Sequence, residues 1–382
     1  MDIRRGHDAG RMPQRLRKSS SDILYPVGGV LVKTSVIGLV RNQDGQPKPK
    51  SAYLCRMMLQ RYFERYTGLL RSWKGVYVIN NVLNWRALRR NVPLYRRYGL
   101  RKSVLAPLSR ADFPESHPDI PWLDRPDAER LLHENPVFRV MTPDMQQKVR
   151  QFVREGFLVL ENFFPESDRN ALNAEVDSLL DAGRVGFNYT GRKIFNLWEK
   201  SDVARTRFFQ KKELLELLSF LLGRPVIPFQ TLNFVTGSEQ RAHSDAIHMS
   251  TWPQGYLIAA WISLEDADAR NGALIYYPGS HRLPYLSGRD YPSGNTRFRI
   301  GAESNRRYED HIAELIARHG LQPRVFGAKA GDALIWHANL IHGGLPIREA
   351  GATRRSMVCH YYAEDVICYH EMSQRPALIR GK

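Results

Sequence analysis

From Val226 onward the chain is a series of short apolar runs, cut at intervals by Gly, Pro or Asn: VIPFQTLNFVTG, YLIAAWISLED, GALIYYPGSH, DALIWHANLIHGG and RRSMVCHYYAED. Runs of this length, rich in β-branched and aromatic residues and without long helices between them, read as strands. A series of such strands buries its apolar faces by stacking sheet on sheet, which predicts a sandwich or jelly roll. A helical stretch, NRRYEDHIAELIARHG (Asn305 to Gly320), interrupts the series. The fold class expected is mainly β with flanking helices.

Ahead of the strands, TPDMQQKVRQFVREGFLVLENFF predicts a helix beginning near Thr142, a turn at Gly156 and a strand over Phe157 to Glu161. PESDRNALNAEVDSLLDAG predicts a second helix, capped by Ser167 or Asp168 and ended by Gly183, with Leu172, Val176, Leu179 and Leu180 on one face. HPDIPWLDRPDAE (His117 to Glu129), with three prolines, predicts an extended crossing.

The net charge of +17 is carried by one quarter of the chain. Residues 1–102 hold 22 Lys and Arg against 5 Asp and Glu, and the remainder holds 34 of each. Three units follow: a basic tail over 1–20, a basic, aromatic-rich amino-terminal extension over 21–135, and a globular domain over 136–382. Within the extension, residues 21–50 are short β-prone runs ending in a linker, and Ser51 to Leu70 reads as an amphipathic helix. Lys50 to Lys102 carries thirteen Lys and Arg, one acid (Glu64) and nine aromatics. Arginines interleaved with aromatics suit an anionic membrane surface. The same composition suits a phosphate backbone, but no nucleic-acid motif accompanies it, so the membrane is preferred. No apolar run is long enough to span a bilayer, and the first residues lack the apolar centre of a secretory signal. Three cysteines without a C-x-x-C pair fit a reducing, cytoplasmic setting, with the basic segment as a peripheral membrane contact.

QRAHSDAIHMST places His243 and Asp245 two positions apart, where on a strand they share a face. A tripeptide of this kind also arises by chance, and His117-Pro118-Asp119 is a second example. A third ligand, His342 or His337, stands in WHANLIHGG. Two histidines and a carboxylate on one face leave three positions of an octahedral ion open, the arrangement of non-haem Fe(II) oxygenases. About a dozen residues later Arg354 and Arg355 offer a guanidinium for an anionic co-substrate. His248 suits the substrate mouth as well as a loop cap, and His281, in the turn PGSH, suits a structural role.

In the phrases LNFVTGSEQRAHSD, AAWISLEDADARNGALIYYPGSH, GDALIWHANLIHGG and RRSMVCHYY, residues 145–365 resemble the phytanoyl-CoA dioxygenase family of Fe(II)/2-oxoglutarate oxygenases. The resemblance implies a double-stranded β-helix core of cupin type. It implies Fe(II) on His243, Asp245 and His342, with the I-H-G context selecting His342 over His337. It assigns 2-oxoglutarate to Arg354 rather than Arg355, with Trp261 and Asn233 lining the same pocket. The implied reaction consumes O2 and 2-oxoglutarate, releases succinate and CO2, and hydroxylates an unactivated C–H bond. A lipid-linked or amphiphilic substrate is expected; a soluble small-metabolite hydroxylase and a metal-free binding protein using its basic arm on an acidic partner are the alternatives. One departure is Gly344, two residues after the distal histidine, where several relatives have a serine that helps hold 2-oxoglutarate.

Overall fold

The computed structural model describes residues 72–188 and 190–379, and the backbone of two short strands ahead of them. The chain divides into two compact units, Met1–Arg65 and Tyr66–Lys382. In the first, β1 (Tyr25–Val27) and β2 (Val30–Val32) pair as an antiparallel hairpin. The basic tail over 1–20 and the helix expected over Ser51 to Leu70 lie outside the described residues.

The second unit opens with α1 (Lys74–Leu83), α2 (Trp85–Leu88) and α3 (Val92–Arg97). A stretch with short 3-10 turns leads to α4 (Ala128–Glu134), α5 (Pro136–Arg139) and α6 (Pro143–Glu155). In α6, Thr142 accepts from the Met145 amide, Pro143 supplies a preset first turn, and Gly156 ends the helix at φ +84°. Then come β3 (Phe157–Leu160), α7 (Glu166–Asp181), β4 (Lys193–Phe195), α8 (Lys212–Leu222) and β5 (Val226–Phe234). The remaining strands are β6 (Ser250–Trp252), β7 (Leu257–Ser263), β8 (Leu274–Tyr276), β9 (Arg324–Phe326) and β10 (Ala333–His337). They continue as β11 (His342–Gly344), β12 (Ser356–Ala363), β13 (Ile367–His370) and β14 (Arg375–Pro376). The interrupting helix, α9 (Ser304–Arg318), lies between β8 and β9.

The larger sheet runs β3-β10-β7-β12-β5-β4, every neighbour antiparallel. Its centre is covered on both sides, which is why β7, β10 and β12 are buried along their whole length and read as unbroken apolar runs. Ala260, Ile262, Ile335, Met357, Cys359 and Tyr361 pack with the helix residues Phe152, Leu172 and Leu218. Ala259, Trp261, Leu334, Trp336 and Val358 belong to a second cluster, with Leu274, Tyr276 and Phe326 of the smaller sheet β11-β8-β9. This is the expected double-layered β core with flanking helices.

Two expectations meet a different outcome. Helix α7 starts at Glu166 behind Pro165, without a side-chain cap, and Glu166 and Asp168 place their charge in its first turn. The crossing from His117 is not extended throughout: it makes a 3-10 turn at Trp122–Asp124 and enters α4. Residues 72–135, counted with the amino-terminal extension, belong to the same compact unit as the β core. Tyr95, Leu108 and Phe113 cluster with Trp252, Ile367 and Tyr369, and the Phe113 ring stacks on Trp252 at 4.9 Å. The aromatics of this basic segment thus divide by face, Tyr95 turned inward and Trp85 left exposed among the arginines.

Candidate metal centre

His243 follows β5 after a loop, and its backbone forms an isolated antiparallel bridge with His342 at the start of β11. Each amide donates to the other's carbonyl at 2.9 Å, so the two side chains are set beside each other by the main chain. Their rings lie 4.4 Å apart. Asp245 opens a 3-10 turn directly after, so its approach to His243 comes from a bridge followed by a turn rather than from a strand. Asp245 Oδ1 stands 3.9 Å from the Nε2 atoms of both His243 and His342. One ligand atom from each of the three residues falls within 4.8 Å of the others, and all three residues are buried.

The imidazoles are oriented for coordination. His243 Nδ1 lies 2.8 Å from the Arg241 carbonyl and His342 Nδ1 3.0 Å from the Leu340 carbonyl. Carbonyls only accept, so each proton sits on Nδ1 and each Nε2 lone pair faces the shared centre. Burial pushes both imidazoles below their ordinary range, keeping them neutral. Burial alone would raise the Asp245 carboxyl, but the neighbouring His342 and His360 hold it well below its usual range. The Gln240 side-chain amide, itself fixed by Lys193 Nζ at 2.8 Å, stands 3.2 Å from His243 Nε2.

The centre opens into a cavity of about 1190 Å³. Arg354 and Trp261 line it, and the guanidinium lies 5.4 Å from the Trp261 ring centroid and 5.7 Å from that of Phe234. Arg354 is 1% exposed, is pulled down to about 10 by burial, and leaves its Nε without a partner, as does Trp261 Nε1. A buried guanidinium with an orphaned donor is costly unless an anion completes it. Arg355, one position on, points the other way and pairs with Asp177 at 2.9 Å. His248 also lines the cavity, its ring 5.9 Å from His243, lowered by burial to about 4.

Asn233 is a correction. Leu232 and Phe234 of β5 face the cavity, so Asn233 between them turns to the opposite side, across from Ile194 and Met357 of the helix-facing core. His337 ends β10 in the larger sheet, whereas His342 begins β11 in the smaller one. His337 bonds Asp124 at 2.8 Å and packs near His281, away from the centre. The second H-x-D closes locally: the Asp119 amide donates to His117 Nδ1, and the carboxylate pairs with Arg224.

Residues without a sequence signal complete the centre. Lys193 is a largely buried amine whose charge burial disfavours, held by Gln240. His360 lies against Asp245, and Trp336 donates to it. At Gly344, an added Cβ would meet Ser238 Oγ at 2.6 Å, and Ser238 lines the cavity. A serine hydroxyl thus stands beside the position from which a side chain is missing.

The chain matches the phytanoyl-CoA dioxygenase family over residues 152–356. The ectoine dioxygenase of Nocardia farcinica is 28% identical over 220 residues, covering 52% of this chain and 71% of that protein. The peroxisomal phytanoyl-CoA dioxygenase of Rattus norvegicus is 23% identical over 247 residues, covering 56% and 68%. The crystal structure of EctD from S. alaskensis with bound Fe aligns over 58% of this chain and 77% of its own, with 23% identity and a TM-score of 0.45. With the family match spanning more than half of the sequence, the chain belongs to the phytanoyl-CoA dioxygenase family and is a dioxygenase.

Proposed function

We propose that this protein is an Fe(II)/2-oxoglutarate-dependent hydroxylase acting at the His243, Asp245 and His342 centre. The observation that carries the proposal is a three-donor cluster opening into the same cavity as a buried, anion-seeking Arg354. Bound iron supplies the oxygen chemistry that couples decarboxylation of 2-oxoglutarate to hydroxylation of a C–H bond. The chain's residues do the rest. Arg354 pairs with the distal carboxylate of the co-substrate, with Trp261 Nε1 as a further donor. Lys193 offers a second cation, and Ser238 supplies the hydroxyl that Gly344 lacks. Buried walls formed by Phe234, Trp261 and Trp336 keep bulk water from the reacting bond.

The cavity is far larger than 2-oxoglutarate requires and leaves room for a bulky substrate. Its outer lining mixes Tyr77, Asn80 and Trp198 with His248, His370 and Arg375, which suits a molecule with both ring faces and hydrogen-bonding groups. Much of this lining lies outside residues 152–356, in α1 and after β12. One observation favours an amphiphilic, lipid-linked substrate over a freely soluble one. The outer side of α1 and α2 leaves Ile79, Val82, Leu83 and Trp85 exposed, followed by exposed Arg86 and Arg89, while Tyr77 and Asn80 face the cavity. That pattern suits a peripheral contact with anionic lipid.

Anaerobically purified protein given Fe(II), 2-oxoglutarate and then air should form succinate. His243→Ala and Arg354→Ala should each lower the rate roughly a hundredfold or more. Unchanged turnover in both variants would overturn the assignment. Co-sedimentation with vesicles containing an anionic lipid should be lost in Leu83→Glu/Trp85→Glu, and no sedimentation of the wild type would remove the lipid-surface reading.

A further inference from the structure

The two oxygens of Asp245 have different surroundings. Oδ1 is the one facing both histidine Nε2 atoms, at 3.9 Å each. Oδ2 accepts Trp336 Nε1–H at 2.8 Å and stands 3.3 Å from His360 Nε2. A carboxylate offers no hydrogen, so any hydrogen bond across the 3.3 Å contact has the ring as its donor. His360 is 2% exposed, and its other nitrogen, Nδ1, has no hydrogen-bond partner among the described residues. The register of β12 against β5 shifts between His360 and Tyr361, a local irregularity of the kind that re-aims a side chain beside a site.

We propose that His360 is a positioning residue which, with Trp336, confines Asp245 to coordination through a single oxygen. The proposal rests on the iron and 2-oxoglutarate reading above. On an octahedral ion, three protein donors leave three positions. Were iron held here, 2-oxoglutarate and dioxygen would have to share those positions. An Oδ2 atom free of Trp336 and His360 would be available as a further donor to iron and would compete with them. His360 sits on the same strand face as Val358 and projects into the cavity six residues after Arg354. Arg354 thus stands two residues before the strand that carries His360, β12.

The test uses nitric oxide as a stand-in for dioxygen on the anaerobic Fe(II) and 2-oxoglutarate complex, read by electron paramagnetic resonance. His360→Leu removes the donor, while His360→Gln returns an N–H near the place of Nε2. Nitric oxide affinity should fall roughly tenfold or more in His360→Leu and return to near the wild-type value in His360→Gln. The 2-oxoglutarate affinity, read from its charge-transfer band with iron, should stay within about twofold in both. Trp336→Phe, which keeps the ring but removes the other donor, should shift nitric oxide affinity in the same direction and guards against a His360→Leu protein that does not fold. Wild-type nitric oxide affinity in folded, iron-loaded His360→Leu or Trp336→Phe would overturn the proposal, as would equal impairment of the Leu and Gln variants. A wild-type protein that binds neither Fe(II) nor 2-oxoglutarate would instead sink the function itself.

Discussion

At the scale of single residues, Arg354 sets the terms. It is buried, drawn below its ordinary pKa, and has no carboxylate within salt-bridge distance among the described residues. Such a group lowers stability in exchange for binding. Arg354→Met should raise the melting temperature of the ligand-free protein, equivalent to about 1 kcal/mol, while abolishing saturation by 2-oxoglutarate. Addition of 2-oxoglutarate with Mn(II) should then stabilise the wild type and leave the variant unmoved. Ser238 allows a second prediction: Ser238→Ala should raise the KM for 2-oxoglutarate by about tenfold, and Gly344→Ser added to it should recover part of that loss. The triad and the arginine were legible in the sequence because their spacing and context belong to one motif. Asn233 was misjudged because neighbouring strand residues face opposite ways, so an error of one position reverses the side. Lys193, Gln240, Ser238 and His360 carry no local pattern: sheet pairing brings Lys193 and His360 in from distant segments, and Ser238 and Gln240 come from the loop just before His243.

Among the elements, the punctuation of the sequence was a good guide. The five apolar runs after Val226 correspond to β5, β7, β8, the β10 and β11 pair, and β12. The run DALIWHANLIHGG hid a boundary: the chain leaves the larger sheet after His337 and enters the smaller one at His342. No breaker residue stronger than Asn339 marks that crossing, so the sequence alone reads as one strand. Gly156 shows what a correctly read turn demands. Its φ is +84°, its carbonyl accepts from the His337 amide, and an added Cβ would lie 2.6 Å from the His281 ring. Gly156→Ala should therefore destabilise the fold by about 2–3 kcal/mol in chemical denaturation, combining left-handed strain with a forced shift of a buried ring. A loss below about 0.5 kcal/mol would mean that His281 has room to move away.

For the molecule as a whole, histidines kept neutral by burial govern the response to acid. His281 is pushed down to about 3 and His248 to about 4, and His243, His342 and His370 also fall below their ordinary range. In the unfolded chain these side chains protonate near pH 6.5, so below that value the unfolded state binds more protons than the folded one. The stability they leave intact above about pH 6.5 is lost progressively as the pH falls toward 3. Melting temperature should be flat from pH 8 to 7 and decline from about 6 downward, with a shallower decline in His281→Leu over that window. The charge asymmetry marked out a basic quarter, yet composition could not reveal that its later part belongs to the same compact unit as the β core. The bridge between His243 and His342 also joins parts of the chain that lie far apart in the sequence. Its two halves are about a hundred residues apart in the chain, so the donor pair exists only where the fold brings them together. Iron bound there would act as a clasp across that bridge, and its withdrawal by a chelator should lower thermal stability while leaving a folded protein ready to be reloaded.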